Sequence, residues 1–183
     1  MRTYRSQQIR KIQNPQDLPQ VCGVPVLPLA PGSVADGPCT VMTGADFKDI
    51  VGEGIEFFRF LILLKNNFDI HSPADKILMY LVLWIQKLLT VASSTPLVSH
   101  EGLHDVLAAA AKKETALPGD SDFPLNMLFS PPSGDRERSL IASYLLQLRL
   151  ETSNRLVDKI WDADQLRVSK WWTQYADHLV TGN

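Results

Sequence analysis

The spacing of hydrophobic positions divides the chain into segments. From Ala45 onward Phe47, Ile50, Val51, Ile55, Phe58, Leu61 and Ile62 recur at steps of three and four. That is the spacing of one helical face, and it predicts a helix over about 45–64 with Asp46 or Thr43 as its cap. Gly52 and Gly54 weaken this helix by ~1 kcal/mol each relative to alanine, so packing has to hold it together. Ser72-Pro73-Ala74-Asp75 then reads as an N-cap, a proline in the first turn and an acid near the positive end of the helix dipole. The helix behind it runs to about Ala92, and Ile77, Leu78, Tyr80, Leu81, Leu83, Trp84, Ile85, Leu88 and Leu89 wrap most of its circumference, so the other helices should surround it. A third helix of about 100–114 follows Ser99, and an irregular stretch punctuated by Pro118, Gly119, Pro124, Pro131, Pro132 and Gly134 comes next. A long fourth helix begins near Asp135 and reaches about Trp161. A short fifth, capped by Ser169, puts Val168, Trp171, Trp172, Tyr175 and Leu179 on one stripe.

Residues 1–44 have no such period. Pro15, Pro19, Pro25, Pro28, Pro31 and Pro38 with Gly23, Gly32, Gly37 and Gly44 break any helix and leave no uninterrupted ladder strand. This segment reads as an extended arm, and its apolar beads Val21, Val24, Val26, Leu27 and Leu29 expect to lie along the domain or a partner. The fold expected is all-α: a single compact domain of about five helices around a buried second helix, with the arm at 1–44 and the helical domain at 45–183. The long helix has a moving apolar face. Leu140, Ile141, Tyr144, Leu145 and Leu148 cluster on one side, and Leu150, Leu156, Val157, Ile160 and Trp161 roughly on the other, while Glu151, Asn154, Arg155 and Asp158 take the side the first cluster used. Either helices of the same chain flank it on different sides, or part of one cluster is a docking surface. The Glu151–Arg155 pair has the favourable i, i+4 order, and spacing alone makes it a solvated face.

Composition narrows the function classes. The 183 residues are 45% hydrophobic and 21% charged, enough for one substantial core. Eighteen Lys and Arg against 20 Asp and Glu leave a net charge of −2, without the basic excess of a nucleic-acid binder. The longest uninterrupted apolar run, Ile77 to Ile85, falls far short of the roughly 20 residues of a membrane span. The first residues hold Arg2, Arg5, Arg10 and Lys11 but no apolar core of a secretory signal; an acid-poor mitochondrial presequence is the alternative. Cys22 and Cys39 are then expected as free thiols, and two sulfurs alone make no four-ligand zinc site.

The sharpest catalytic pattern is His100-Glu101-Gly102-Leu103-His104. Two imidazoles one helical turn apart can hold Zn²⁺ while the glutamate activates its water, as in zinc metallopeptidases. The third ligand is missing, because the metzincin position falls on Ala110 and its glycine on Leu107, and Glu114 is too close in sequence. Two histidines at the start of a surface helix explain the motif. No phosphate loop, dinucleotide fingerprint or nucleophile elbow occurs. His71 beside the Ser72 cap, His178 in the last turn of the fifth helix, and Asp162 with Asp164 in a solvated turn are each explained without catalysis.

Phe123-Pro124-Leu125-Asn126, Tyr144 through Thr152, Arg155-Leu156 and Ser169-Lys170-Trp171-Trp172-Thr173 come in an order and spacing that resemble the 21 kDa subunit family, subunit 3, of the actin-related protein 2/3 complex. Asp49-Ile50-Val51, Lys65-Asn66, Ala74-Asp75, and even Tyr4 and Ser6 agree, which argues against a presequence. The likeness is strongest from Phe123 to Thr173 and weakest from Val91 to Asp122. Gly52 and Gly54 depart from it, standing where an acid and an alanine are more usual. The resemblance implies an all-helical, non-catalytic subunit without a cofactor, part of an assembly of two actin-related proteins and five other subunits that nucleates branched actin filaments. It further implies a place against actin-related protein 3, contact with the actin filament in the branch, and residence in the cytoplasm and cytoskeleton. On this reading Phe123, Pro124, Asn126, Glu151, Arg155, Lys170 and Trp171 are the candidate interface residues. Of the tryptophans, Trp172 falls mid-stripe and Trp171 at the edge beside Lys170, so Trp172 is expected in the core and Trp171 as an anchor. An unrelated helical adaptor and a zinc peptidase are the competing readings.

Overall fold

The computed structural model describes residues 4–12, 14–31, 33, 35–42, 47–63, 70–96 and 99–176. Among them are six helices: α1 (Gln8–Lys11), α2 (Ile50–Leu63), α3 (Pro73–Ser94), α4 (His100–Lys112), α5 (Asp135–Ile160) and α6 (Lys170–Thr173). Two small antiparallel hairpins complete the elements, β1 (Gln20–Val21) with β2 (Val24–Pro25), and β3 (Trp161–Asp162) with β4 (Arg167–Val168). The mainly helical architecture around the second long helix is as the periodicity predicts. Ile77, Leu78, Leu81, Ile85, Leu88 and Leu89 of α3 are fully buried, and α2, α4, α5, α6 and β2 all pack against α3.

The cap of α3 is as read from sequence. Asp75 N–H donates to the Ser72 hydroxyl, and the Asp75 carboxylate accepts from Ser72 N–H, so two orphan donors are satisfied together. Ser99 caps α4 in the same way, its Oγ accepting from Gly102 N–H at 3.0 Å. By length and composition α3 could cross a bilayer, yet 61% of its most apolar stretch is buried inside the fold. Counting an uninterrupted run understates this apolarity, because Gln86 and Lys87 end the run without lowering the average much.

Four expectations need correction. First, α2 starts at Ile50 rather than 45, because Asp49 is the cap: its Oδ1 accepts from Gly52 N–H at 2.8 Å. Thr43, Asp46, Lys65 and Asn66 lie outside the described residues. Second, the fifth helix is a single turn followed by turns to Ala176. Val168 belongs to β4, Ser169 caps with its backbone carbonyl instead of its hydroxyl, and Leu179 and His178 lie outside the described residues. Third, the N-terminal segment is neither free of helix nor free of ladder. It contains α1 and the β1–β2 hairpin, whose turn residues Cys22 and Gly23 both have positive φ, 49° and 76°. That is the two-residue turn whose twist suits a hairpin, disguised in the sequence by a cysteine in the place usually taken by Asn or Asp. Fourth, Glu151 and Arg155 form no solvated face, since Glu151 is 2% exposed.

The apolar beads Val21, Val24, Val26, Leu27 and Leu29 are all buried in the same core as the helices. The segment therefore works as a strap across α2, α3 and α5. Gly37 is needed for its close approach, because a Cβ there would come 2.7 Å from the Cβ of Gln147 on α5. The long helix α5 is flanked by α2, α3 and α4 and by the strap, so its shifting apolar face is met by different parts of the same chain.

Candidate interaction surface

An extended segment leaves many backbone donors without a local partner, and each buried N–H left unpaired costs about as much as a lost hydrogen bond. Some strap donors pair within the strap, as Val26 with the Pro19 carbonyl and Leu29 with the Thr40 carbonyl; for others among the described residues, side chains of the helices and of the Asp49 cap supply the acceptors. Seven strap N–H groups donate to side chains: Ser6 to Asp75, Gln7 to Glu53, Cys22 to Glu137, Leu27 to the Tyr144 hydroxyl, Ala30 to Asp49, Ala35 to Glu151 and Cys39 to Gln147, all within 2.7–3.2 Å. Four of these acceptors, Glu137, Tyr144, Gln147 and Glu151, lie on one face of α5 at steps of three, four and seven. This explains why polar residues interrupt the apolar face there.

Two buried charge centres fix the strap. The Asp49 carboxylate, fully buried, accepts from both terminal nitrogens of Arg155 at 2.8 Å, while Arg155 Nε donates to Glu151 at 2.7 Å and Nη2 to Ser33 at 2.6 Å. Burial opposes the Arg155 charge, but the hydrogen bonds and charges of Asp49 and Glu151 outweigh it and raise its pKa. The buried Glu53 accepts from Tyr4, Ser6, Gln7 and Gln8. Burial first, and the Glu53 carboxylate second, push the Tyr4 hydroxyl well above the ordinary tyrosine range. Glu137 is held down to about 2 by hydrogen bonds from the Ser133 hydroxyl, Cys22 N–H and Ser133 N–H. Both cysteines are free and buried.

The expected interface residues are therefore scattered. Glu151 and Arg155 serve the strap. Phe123 is turned inward, stacked near Tyr80 and edge-on to Phe129, and its neighbour Pro124 is exposed. Asn126 is exposed, but its amide bonds within its own loop, accepting from Gly119 N–H and donating to the Asp120 carbonyl. Lys170 and Trp171 are exposed, Trp171 by 72%. Trp172 is half-buried, its ring 6.1 Å from and nearly parallel to Phe58 with the Arg59 guanidinium above it. The inside-outside division of the tryptophans is present, although Trp172 reaches only half-burial because the one-turn helix cannot carry it deeper.

The histidine motif opens α4. His100 Nε2 bonds to Asp158 of α5 at 2.9 Å, and His104 Nδ1 lies 3.7 Å from its neighbour Asp105. Among the described residues no group of three or more His, Cys, Asp or Glu is placed to hold a metal ion.

Sequence reading missed two features. One is a set of exposed apolar side chains, Met127, Leu166, Phe60 and Val41, of which Leu166 sits in the β3–β4 turn just before Trp171. The other is Arg149, only 5% exposed, with a cleft of about 720 Å³ beside it between the end of α4, residues 113–122 and α5. Its position between Leu148 and Leu150 was the available signal: a cation inside an apolar run on a helix with several buried faces.

A helical domain with a strap pinned along α5 and several exposed apolar side chains suits a protein that works by contact. The family described as the ARP2/3 complex ARPC3 (21 kDa) subunit matches residues 1–180. The chain is 38% identical over 164 residues to Actin-related protein 2/3 complex subunit 3 of Arabidopsis thaliana, covering 86% of each chain. It is 32% identical over 153 residues to the protein of that name from Dictyostelium discoideum, covering 83% of each, and 31% over 128 residues to that from Schizosaccharomyces pombe, covering 70% and 71%. With nearly the whole chain matched, from the strap through the paired tryptophans, this protein belongs to the 21 kDa ARPC3 subunit family of the ARP2/3 complex.

Proposed function

We propose that the chain is a non-catalytic subunit of the actin-related protein 2/3 complex that docks on the actin-related protein 3 side and supports nucleation of branched actin filaments, in the cytoplasm at the actin cytoskeleton. Its partners on this reading are the other subunits and, in the assembled branch, the actin filament, with no nucleic acid and no bilayer involved. The observation that carries the reading is Trp171, a large aromatic ring 72% exposed next to the exposed Lys170. A tryptophan held in water by a folded scaffold is the residue type that most often anchors an interface. The exposed Pro124 and Asn126 mark a second contact, on the loop after α4. Phe123, Glu151 and Arg155 support these contacts from inside, by holding the loop and the strap in place.

The test is incorporation. Trp171→Ala should leave the melting temperature of the free chain nearly unchanged, because exposed substitutions alter stability by only about 0.5 kcal/mol. It should also lower recovery of the other subunits with a tagged chain by roughly tenfold or more, the loss expected for an anchoring tryptophan. The free chain should not shorten the lag of pyrene-actin polymerisation. Full recovery of the complex with Trp171→Ala would remove this residue from the interface, and recovery of unrelated proteins by the wild-type chain would favour the adaptor reading.

A further inference from the structure

Among the described residues no carboxylate pairs with Arg149, a buried cation. Its Nε donates to the Ala111 carbonyl in the last turn of α4 at 3.1 Å, and Nη1 donates to the Tyr80 hydroxyl at 3.3 Å and the Thr115 hydroxyl at 2.6 Å. The guanidinium also lies 5.6 Å from the centre of the Trp84 ring. Every one of these partners is neutral. The C-terminal end of α4 offers only a partial negative charge, about half an elementary unit. Nη2 makes no hydrogen bond, and no buried side-chain nitrogen among the described residues is left unsatisfied, so this nitrogen faces the cleft. A guanidinium largely withdrawn from water, without a counter-charge among the described residues and with one nitrogen open to the cleft, favours a carboxylate, because most of its desolvation cost has already been met.

The cleft walls add to this. Lys112 and Lys113 stand exposed at its rim and are in no ion pair among the described residues, while Arg138 is occupied by Asp120 at 2.9 Å. Glu114 and Asp122 also border the cleft, and neither comes within 4.0 Å of the Arg149 guanidinium. The cleft is contiguous with the loop that carries Phe123 and Pro124, since Glu114, Thr115, Ala116 and Asp122 border both.

We infer that this cleft receives an acidic side chain of a neighbouring subunit, whose carboxylate pairs with Arg149 Nη2 and is drawn in by Lys112 and Lys113. The inference rests on the reading of the chain as a subunit of the complex, and it places a second, charge-specific contact away from Trp171.

Leu146 provides the test, because it lines the cleft three residues before Arg149, on the same face of α5. A glutamate there brings a carboxylate of the chain's own into the site, and a glutamine has the same shape without the charge. Full-length Leu146→Glu and Leu146→Gln chains are melted alone and then offered, beside the wild type, to the remaining subunits reconstituted without this one. The expected result is that Leu146→Glu melts above Leu146→Gln and is retained about tenfold less well, as for competition at a charged contact. Equal retention of the two variants, high or low, overturns the inference. Lys112→Gln/Lys113→Gln, which removes the rim charges and leaves Arg149 and Leu146 in place, should be retained less well and with a weaker dependence on salt; unchanged retention and salt dependence also count against it. Wild-type chain melted in sodium acetate against chloride at equal ionic strength separates the other source of carboxylate: a selective rise with millimolar acetate, absent in Leu146→Glu, assigns the site to a small molecule and overturns the protein occupant. If the wild type itself is not retained, the subunit reading fails along with this one; if the wild type is retained while the two variants behave alike, only this one fails.

Discussion

Cys22 and Cys39 show how local environment decides what a residue can do. Burial and the Glu137 carboxylate push the Cys22 thiol up to about 11, and burial with Asp49 and Glu151 pushes Cys39 up to about 12, from an ordinary 9.0. The thiolate is the reactive form, so both should resist alkylation at about pH 8 while the chain is folded and react promptly once urea opens it. Iodoacetamide labelling followed by intact-mass measurement checks this, and fast labelling of the native protein would contradict the burial of the hairpin turn. The sign of the pH effect follows. The fold favours the neutral thiols, so their contribution to stability is complete below the unfolded value near 9 and is lost as pH rises towards about 11 and 12. From sequence these residues were legible only as free thiols. The positive φ of Cys22 and the carboxylates around both depend on residues distant in the chain, which no local spacing reveals.

Elements were legible where local chemistry decides them. Ser72 and Ser99 announce the starts of α3 and α4 because a cap is a contact between residues three apart. The start of α2 was misplaced because Asp49 does two things at once: it caps the helix by accepting from Gly52 N–H, and it binds Arg155 from α5, a contact 106 residues away that local spacing does not reveal. The single turn of α6 depends wholly on its docking, since a helix so short has no stability of its own. It packs against α3, and its aromatic contact is the Trp172 ring against Phe58 and Arg59 of α2. Trp172→Ala should therefore cost about 2–3 kcal/mol, at the low end for large aromatic truncations because the ring is only half-buried. Urea melts read the change, and a loss as small as that of Trp171→Ala would mean that α6 is held by something other than this stack.

At the scale of the molecule the strap is as much a part of the core as the helices are. Its proline and glycine content, read as breaking any helix and any ladder, hid α1 and the β1–β2 hairpin, and it also conceals where several N–H groups go, since their acceptors are side chains of α2, α3, α5 and the Asp49 cap. A chain lacking residues 1–42 would uncover the core that faces Val21, Val24, Leu27 and Leu29 and leave Asp49, Glu53 and Asp75 without several of their donors. We expect this truncation to show no cooperative thermal transition by circular dichroism; a sharp melt would show that residues 43–183 fold alone. The strap also sets an order in time. Leu27 is 117 residues from its acceptor Tyr144, and Cys22, Ala35 and Cys39 wait as long for α5. At translation speeds of about 5–20 residues per second, the first part of the chain to leave the ribosome spends roughly 6–23 s with these buried-to-be N–H groups and valines exposed. Synthesis from the N-terminus thus delivers the fastening before the thing it fastens to, and the nascent chain depends most on chaperones in the interval before residue 151 emerges.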